Sequence, residues 1–352
     1  METDSTVSEA LLQWLLEREN PSVRYFTLRD MLGREERDPE VQATEVSIPE
    51  SKIIRKIFAA QESKGYWEEP WNPYHPKYKS SYWTIMTLGQ LGIDRRDAHI
   101  KKACEYIFQF QLDEGSFSSY TYKRALQEYE SYRARGKKLS PKKKWVSQLI
   151  FEHQYSCLTG NMAAALMRLG YHNDSRVKKA LVWLMKVQND DGGWLCPYWP
   201  AHIKDKHGCF YGTICPLEAF SEVPRKNLTS GMEKTIKKGA AFLLMHHLFR
   251  ADHHNYQVIN KSWLQLGFPW FYRYNILRGL DVLTKLGYAG DKRLGDAVAV
   301  LMQKRRHDGK WILEAAPTGR MHVNLEAKGK PSKWITLIAL RVLKRVYESR
   351  LG

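Results

Sequence analysis

The chain has 352 residues, 43% hydrophobic and 12% aromatic, enough apolar material for a sizeable core and unlike a disordered chain. No stretch approaches the roughly 18 to 20 apolar residues of a membrane span, and the polar start METDSTVSEA lacks the basic and apolar regions of a signal peptide, so a cytoplasmic location is expected. The formal net charge is +17, much of it local, with nine Lys/Arg against Glu128 and Glu130 between Lys123 and Lys144.

The first elements expected are EALLQWLLE (9–17) and PSVRYFTLRDML (21–32), a capping helix pair within residues 1–49. From residue 50 to 346 a signature recurs: QESKGYW (61–67), QLDEGSF (111–117), QNDDGGW (188–194) and RRHDGKW (305–311). Each has Gly four residues and an aromatic six residues after its first position. Successive aromatics lie 50, 77 and 117 residues apart, and the last gap spans about two repeats and hides a degenerate copy at Met232–Asp252.

A helical pattern precedes each signature. Val177, Ala180, Leu181, Leu184 and Val187 recur at helical spacing behind an Asn173-Asp174-Ser175 cap. A more apolar helix follows each one: 81–92, 159–170, 211–223, 274–287 and 333–346. Half-polar helices alternating with nearly all-apolar ones predict an outer ring around an inner ring, about five helix pairs in one all-α domain. Residues 120–150 read as an insertion, a polar helix with a basic loop, and 347–352 as a short tail.

The Gln188–Trp194 turn, its variants and the paired helices resemble the QW repeats of the terpenoid cyclase and protein prenyltransferase superfamily. In size and wording the chain is similar to short, stand-alone bacterial and archaeal proteins labelled prenyltransferase or squalene-cyclase-like. The resemblance spans residues 50 to 346 and implies an α/α toroid with a central cavity. It also implies a structural role for Gln61, Gln111, Gln188, Trp67, Trp194 and Trp311: Gln ties one helix to the next, Gly permits the turn, and the aromatic stacks between units.

Ligands in such a toroid sit at the approaches to the inner helices, and aromatics recur there: Tyr82, Trp83, Tyr155, Phe210, Tyr211, Trp270, Phe271, Tyr272, Tyr274 and Trp334. An aromatic-lined cavity would accept an isoprenoid-like chain and stabilise a carbocation by cation–π attraction. Arg273, and Arg320 and His322 with Lys328, Lys330 and Lys333, form a cationic mouth suited to a prenyl diphosphate.

The resemblance also defines what is missing. A class II cyclase needs D-x-D-D or D-C-T-A-E to protonate its substrate; no D-x-D-D occurs, and Ser156-Cys157-Leu158-Thr159-Gly160 lacks the acid, leaving Glu218 as a recruit. The zinc triad of prenyltransferase β subunits is incomplete at His207-Gly208-Cys209, with no His near Trp334 to Thr336, and no α-subunit partner is evident. Cys157, Cys196, His207 and Cys209 nevertheless form a soft-ligand set able to take zinc. Five cysteines, counting Cys104 and Cys215, cannot all pair and are expected as thiols. A rival reading is a non-catalytic toroid whose basic insertion meets nucleic acid or an anionic membrane.

Overall fold

The structure is a computed structural model that describes residues 7–205 and 207–351; the reading of the extreme N-terminus, Lys206 and the last residue lie outside this range. Three short helices come first: α1 (Glu9–Leu15), α2 (Pro21–Phe26) and α3 (Pro39–Ser47). The outer helices are α4 (Lys52–Ala59), α6 (Ala98–Phe108), α10 (Ser175–Lys186), α12 (Ser230–Met245) and α14 (Gly295–Gln303). Each leads through a turn to an inner one: α5 (Ser81–Gly89), α9 (Ser156–Leu166), α11 (Phe210–Ser221), α13 (Ile276–Leu283) and α15 (Lys333–Leu351). The insertion forms α7 (Tyr122–Ala134) and α8 (Lys142–Glu152). Among the described residues there is no β-strand, only isolated bridges, and no helix long and apolar enough to cross a membrane.

Burial follows the apolar pattern. Every residue of α5 is buried, whereas α10 buries Val177, Ala180, Leu181, Trp183 and Leu184 and leaves Val182 exposed. The inner helices pack in chain order, α5 on α9, α9 on α11, α11 on α13 and α13 on α15, so the chain is an α/α toroid. The ring closes through the N-terminal helices: Phe26 at the end of α2 meets Trp334 edge-on at 6.0 Å and also touches Gly92, just past α5.

The recurring turn works as a staple. Gln61, Gln111 and Gln188 each donate to the carbonyl of the Gly four residues on and to a carbonyl in the first two turns of the next outer helix, His99, Arg176 and Thr235 respectively. The Gly must have positive φ and no side chain: at Gly192 (φ 89°) a Cβ would lie 2.4 Å from the Lys238 carbonyl oxygen. Trp67, Trp194 and Trp311 donate their indole N–H to the carbonyls of Ile57, Leu184 and Leu301 in their own outer helices.

A second staple runs inward. The backbone N–H groups of Trp67, Phe117, Trp194 and Trp311 donate to hydroxyls of Ser81, Thr159, Thr213 and Thr336, one in the first turn of each following inner helix. In the degenerate copy His246 takes the Gln position, its Nδ1 lying 3.1 Å from the Arg250 carbonyl, and Arg250 donates to Asp296 in α14.

Candidate functional site

The axis of the ring is filled rather than hollow. Residues 267–275 cross it between α12 and α13, and this segment packs Phe268, Trp270, Phe271 and Tyr274 into the core, each at most 7% exposed. Gln90, at the end of α5, pins the segment by exchanging hydrogen bonds with the Trp270 backbone. Trp334 stacks on Phe268 at 4.6 Å between ring centroids. The aromatics expected to wall one large cavity therefore form a septum, with a chamber on either side.

The mouth chamber lies at the N-terminal ends of the inner helices and has a volume of about 130 Å³. Tyr78, Tyr211, Phe271 and Trp270 supply aromatic surface, and Arg273 and Asn275 supply polar groups. Tyr211 accepts a hydrogen bond from the Trp263 indole at 3.3 Å. Tyr272 stands beside this wall, half-buried, 6.4 Å from the Tyr211 ring and with the Lys77 ammonium 5.2 Å from its own centroid. Burial alone would raise the Tyr272 phenol, but hydrogen bonding to Tyr78 and Arg273 and the charge of Lys77 bring it below its usual range. The neighbours that raise the Arg273 pKa are the phenols of Tyr272, Tyr78 and Tyr211 rather than a carboxylate.

The other sequence-derived candidates divide by position. Tyr82 and Phe210 are core, as Trp334 is, and Tyr274 is buried with its hydroxyl donated to the Leu248 carbonyl. Trp83 is core too, but it packs behind the mouth against Phe271 and Tyr272 and donates its indole N–H to the Tyr74 carbonyl. Tyr155 lies to one side against His153 and Trp199. Arg320 is exposed, and His322 is tied to the Lys79 carbonyl at 2.7 Å, away from Arg273. Tyr78, which lines the chamber with φ at 69°, was not among the residues singled out. Its place in the KYKSSYWT approach is the only signal the sequence offers.

The soft ligands are held in different ways. Interaction with Cys196, together with burial, pushes the Cys157 thiol well up. Cys209 accepts from the Gly212 N–H at 3.1 Å, and burial pushes its thiol up to about 11. His207 faces Asp191 and the Phe242 ring, toward the outer layer. Among the described residues no group of three or more His, Cys, Asp or Glu side chains is arranged to hold a metal ion.

Glu218 is likewise no free acid. Burial would raise it, but Arg278 and Arg168 more than compensate and hold its carboxyl below the ordinary range. Arg278, 1% exposed, bonds Glu218, Asn161 and the carbonyls of Phe271 and Arg273, so this ion pair anchors the axial segment. Arg168 bridges Glu218 to Glu222, which also pairs with Lys285. These charges border the second chamber, about 330 Å³, at the C-terminal ends of the inner helices, where Arg345 is also paired, with Asp281. Cations suit that end of the helix dipoles.

Gly160 admits no side chain. At this position α9 crosses α11 so closely that a Cβ would lie 2.5 Å from the Cys215 carbonyl carbon and 2.6 Å from the Pro216 nitrogen. No carboxylate side chain fits there without moving a helix backbone.

No family model matches the chain, and neither does any curated protein. Solved structures similar to it include a protein from Actinoplanes, 13% identical, with a TM-score of 0.29 over 86% of this chain and 99% of that one. The apo type II terpene cyclase MstE from Scytonema is 12% identical, with a TM-score of 0.31 over 88% of this chain and 98% of that one. A variant of MstE in complex with its product, merosterolic acid A, is 13% identical, with a TM-score of 0.30 over 87% and 97%. At these values the assignment of a toroid rests on the order and packing of the helices.

Proposed function

We propose that the mouth chamber binds a short isoprenoid-like group, its apolar part against Tyr78, Tyr211, Phe271 and Trp270 and an anionic head such as a diphosphate at Arg273. The observation that carries this reading is Arg273, surrounded by phenols and without a carboxylate partner among its electrostatic neighbours, at the rim of an aromatic chamber. Arg pairs well with phosphate oxygens, and the N-termini of α11 and α13 add the positive ends of their dipoles at the same rim. Size limits the apolar part. An apolar cavity of roughly 150 Å³ takes a molecule the size of benzene, so about 130 Å³ suits one five-carbon unit and not a polyprenyl chain.

Alkene protonation finds no support, because Glu218, the one carboxylate buried in the core among the described residues, is held below the ordinary range by two guanidiniums. The reading is therefore of a binding or head-group-transfer site, not of a cyclase that starts by protonating a double bond. Calorimetric titration with dimethylallyl and farnesyl diphosphates tests it. Micromolar binding of the short ligand, lost in Arg273→Ala and weakened in Tyr211→Ala, is expected; no binding of any prenyl diphosphate by the parent protein overturns it.

A further inference from the structure

The α7–α8 hairpin packs on itself. Ala125, Tyr129 and Val146 form a small separate core, with Leu126, Trp145 and Leu149 against it. Its base is tied to the mouth side of the toroid by Thr121 donating to the Trp71 carbonyl and is closed by the Ser119 N–H donating to the carbonyl of His153 at the end of α8. At its tip lie Arg133, Arg135, Lys137, Lys138, Lys142, Lys143 and Lys144, all exposed. The chain has no Asp or Glu from 131 to 151. Lys142 pairs with Glu130 at 2.6 Å, and the other six have no ion-pair partner among the described residues. The tip is compact: the Lys137 N–H donates to the Tyr132 carbonyl, and the Tyr129 hydroxyl reaches the Ser140 carbonyl at 3.5 Å.

We infer that this tip docks on the phosphodiester backbone of a nucleic acid, a partner independent of the mouth chamber. Six unpaired cations within twelve residues repel one another, and a line of phosphates relieves that repulsion while releasing counterions. The N-terminus of α8, beneath Lys142 to Lys144, adds a dipole of the same sign. A membrane surface fits less well, because interfacial helices need a broad apolar face, and here most apolar side chains of the two helices are turned toward each other, with Tyr122 and Phe151 left exposed at the base.

Fluorescence anisotropy of a labelled 20-base-pair DNA duplex, titrated at several salt concentrations, tests this. With about six phosphate contacts, affinity should fall by about 10³-fold between 50 and 200 mM salt. Replacing Lys137, Lys138, Lys142, Lys143 and Lys144 with Gln should flatten the slope of log K against log salt by about 4, and the matching Lys→Arg variant should restore it. Circular dichroism of both variants checks that the helices persist; these side chains are exposed, so folding should be kept. No duplex binding, binding that the Gln variant retains, or binding confined to phosphatidylserine vesicles would each overturn the inference. Prenyl diphosphate binding unchanged in the Gln variant keeps this test separate from that of the mouth chamber.

Discussion

Gln90 and Trp270, 180 residues apart, exchange two hydrogen bonds of 2.8 Å: the Gln90 amide donates to the Trp270 carbonyl and accepts from the Trp270 N–H. A side-chain amide thus does for the axial segment what a neighbouring strand would do. Both residues are buried, so leaving either group unpaired is costly.

The first prediction follows from that exchange. Gln90→Ala strands a buried N–H and a buried carbonyl, each costing about 1–3 kcal/mol, and so should lower the thermal midpoint by several degrees. Gln90→Glu keeps the acceptor but sets a carboxylate oxygen against the Trp270 and Met86 carbonyls, so it should lose at least as much. Differential scanning calorimetry decides it, and an unchanged midpoint for the Ala variant would mean that the segment is held from elsewhere.

Gly160 gives the second. Ala in place of Gly in a helix interior normally gains about 1 kcal/mol, yet here the Cβ would meet backbone atoms at 2.5 and 2.6 Å. Overpacking of this kind costs about 1–3 kcal/mol and more where the neighbour is rigid backbone. Gly160→Ala should therefore destabilise, and Gly160→Glu, which restores a motif acid, should fail to fold. A denaturant midpoint for Gly160→Ala at or above that of the parent would sink the account.

How much of this was legible in the sequence depends on whether a residue's role was local. The four signatures were readable because the Gly and the aromatic recur at fixed spacing in each turn, with Gln at the head of three of them. The fourth inner and outer pair showed only as periodicity, because His246 and Arg250 perform the stapling with different chemistry. The aromatics of 268–274 were found, but a sequence cannot say whether a ring lines a cavity or fills it. That depends on where the segment crosses the axis, which Gln90 and Arg278 fix from distant helices. Nor does a sequence show which soft ligands share a neighbourhood: Cys157 interacts with Cys196, while His207 lies beside Asp191.

Acid sensitivity is the third prediction. Burial raises the Glu222 carboxyl, but Arg168 and Lys285 outweigh it and bring it from 4.5 down to about 2. Glu218 moves the same way. Carboxyls lowered by folding stabilise fully above their unfolded values, and that stability is lost as pH falls from about 4.5 toward 2. Unfolding free energy should drop steeply across that window. Glu218→Gln should flatten the dependence while lowering stability at neutral pH by about 3–5 kcal/mol, since it leaves Arg278 buried and uncompensated. Urea titrations at pH 3, 4, 5 and 7 measure both, and parallel pH profiles for parent and variant would refute the linkage.

The last prediction uses the septum. Phe268 and Trp270 line both the mouth chamber of about 130 Å³ and the basin of about 330 Å³ beyond it. Removing the indole should join them, while Gln90 continues to hold the backbone at position 270. Trp270→Ala is expected to cost about 3–5 kcal/mol, so the variant must first be shown to be folded at the assay temperature. If the mouth chamber is the ligand site, ligand preference should then shift from dimethylallyl toward farnesyl diphosphate by about tenfold or more, because each added buried CH₂ contributes about 0.8 kcal/mol once there is space for it. Arg273→Ala in the same background should abolish both. A folded Trp270→Ala variant that still excludes the longer chain would show that the indole is not what limits ligand length.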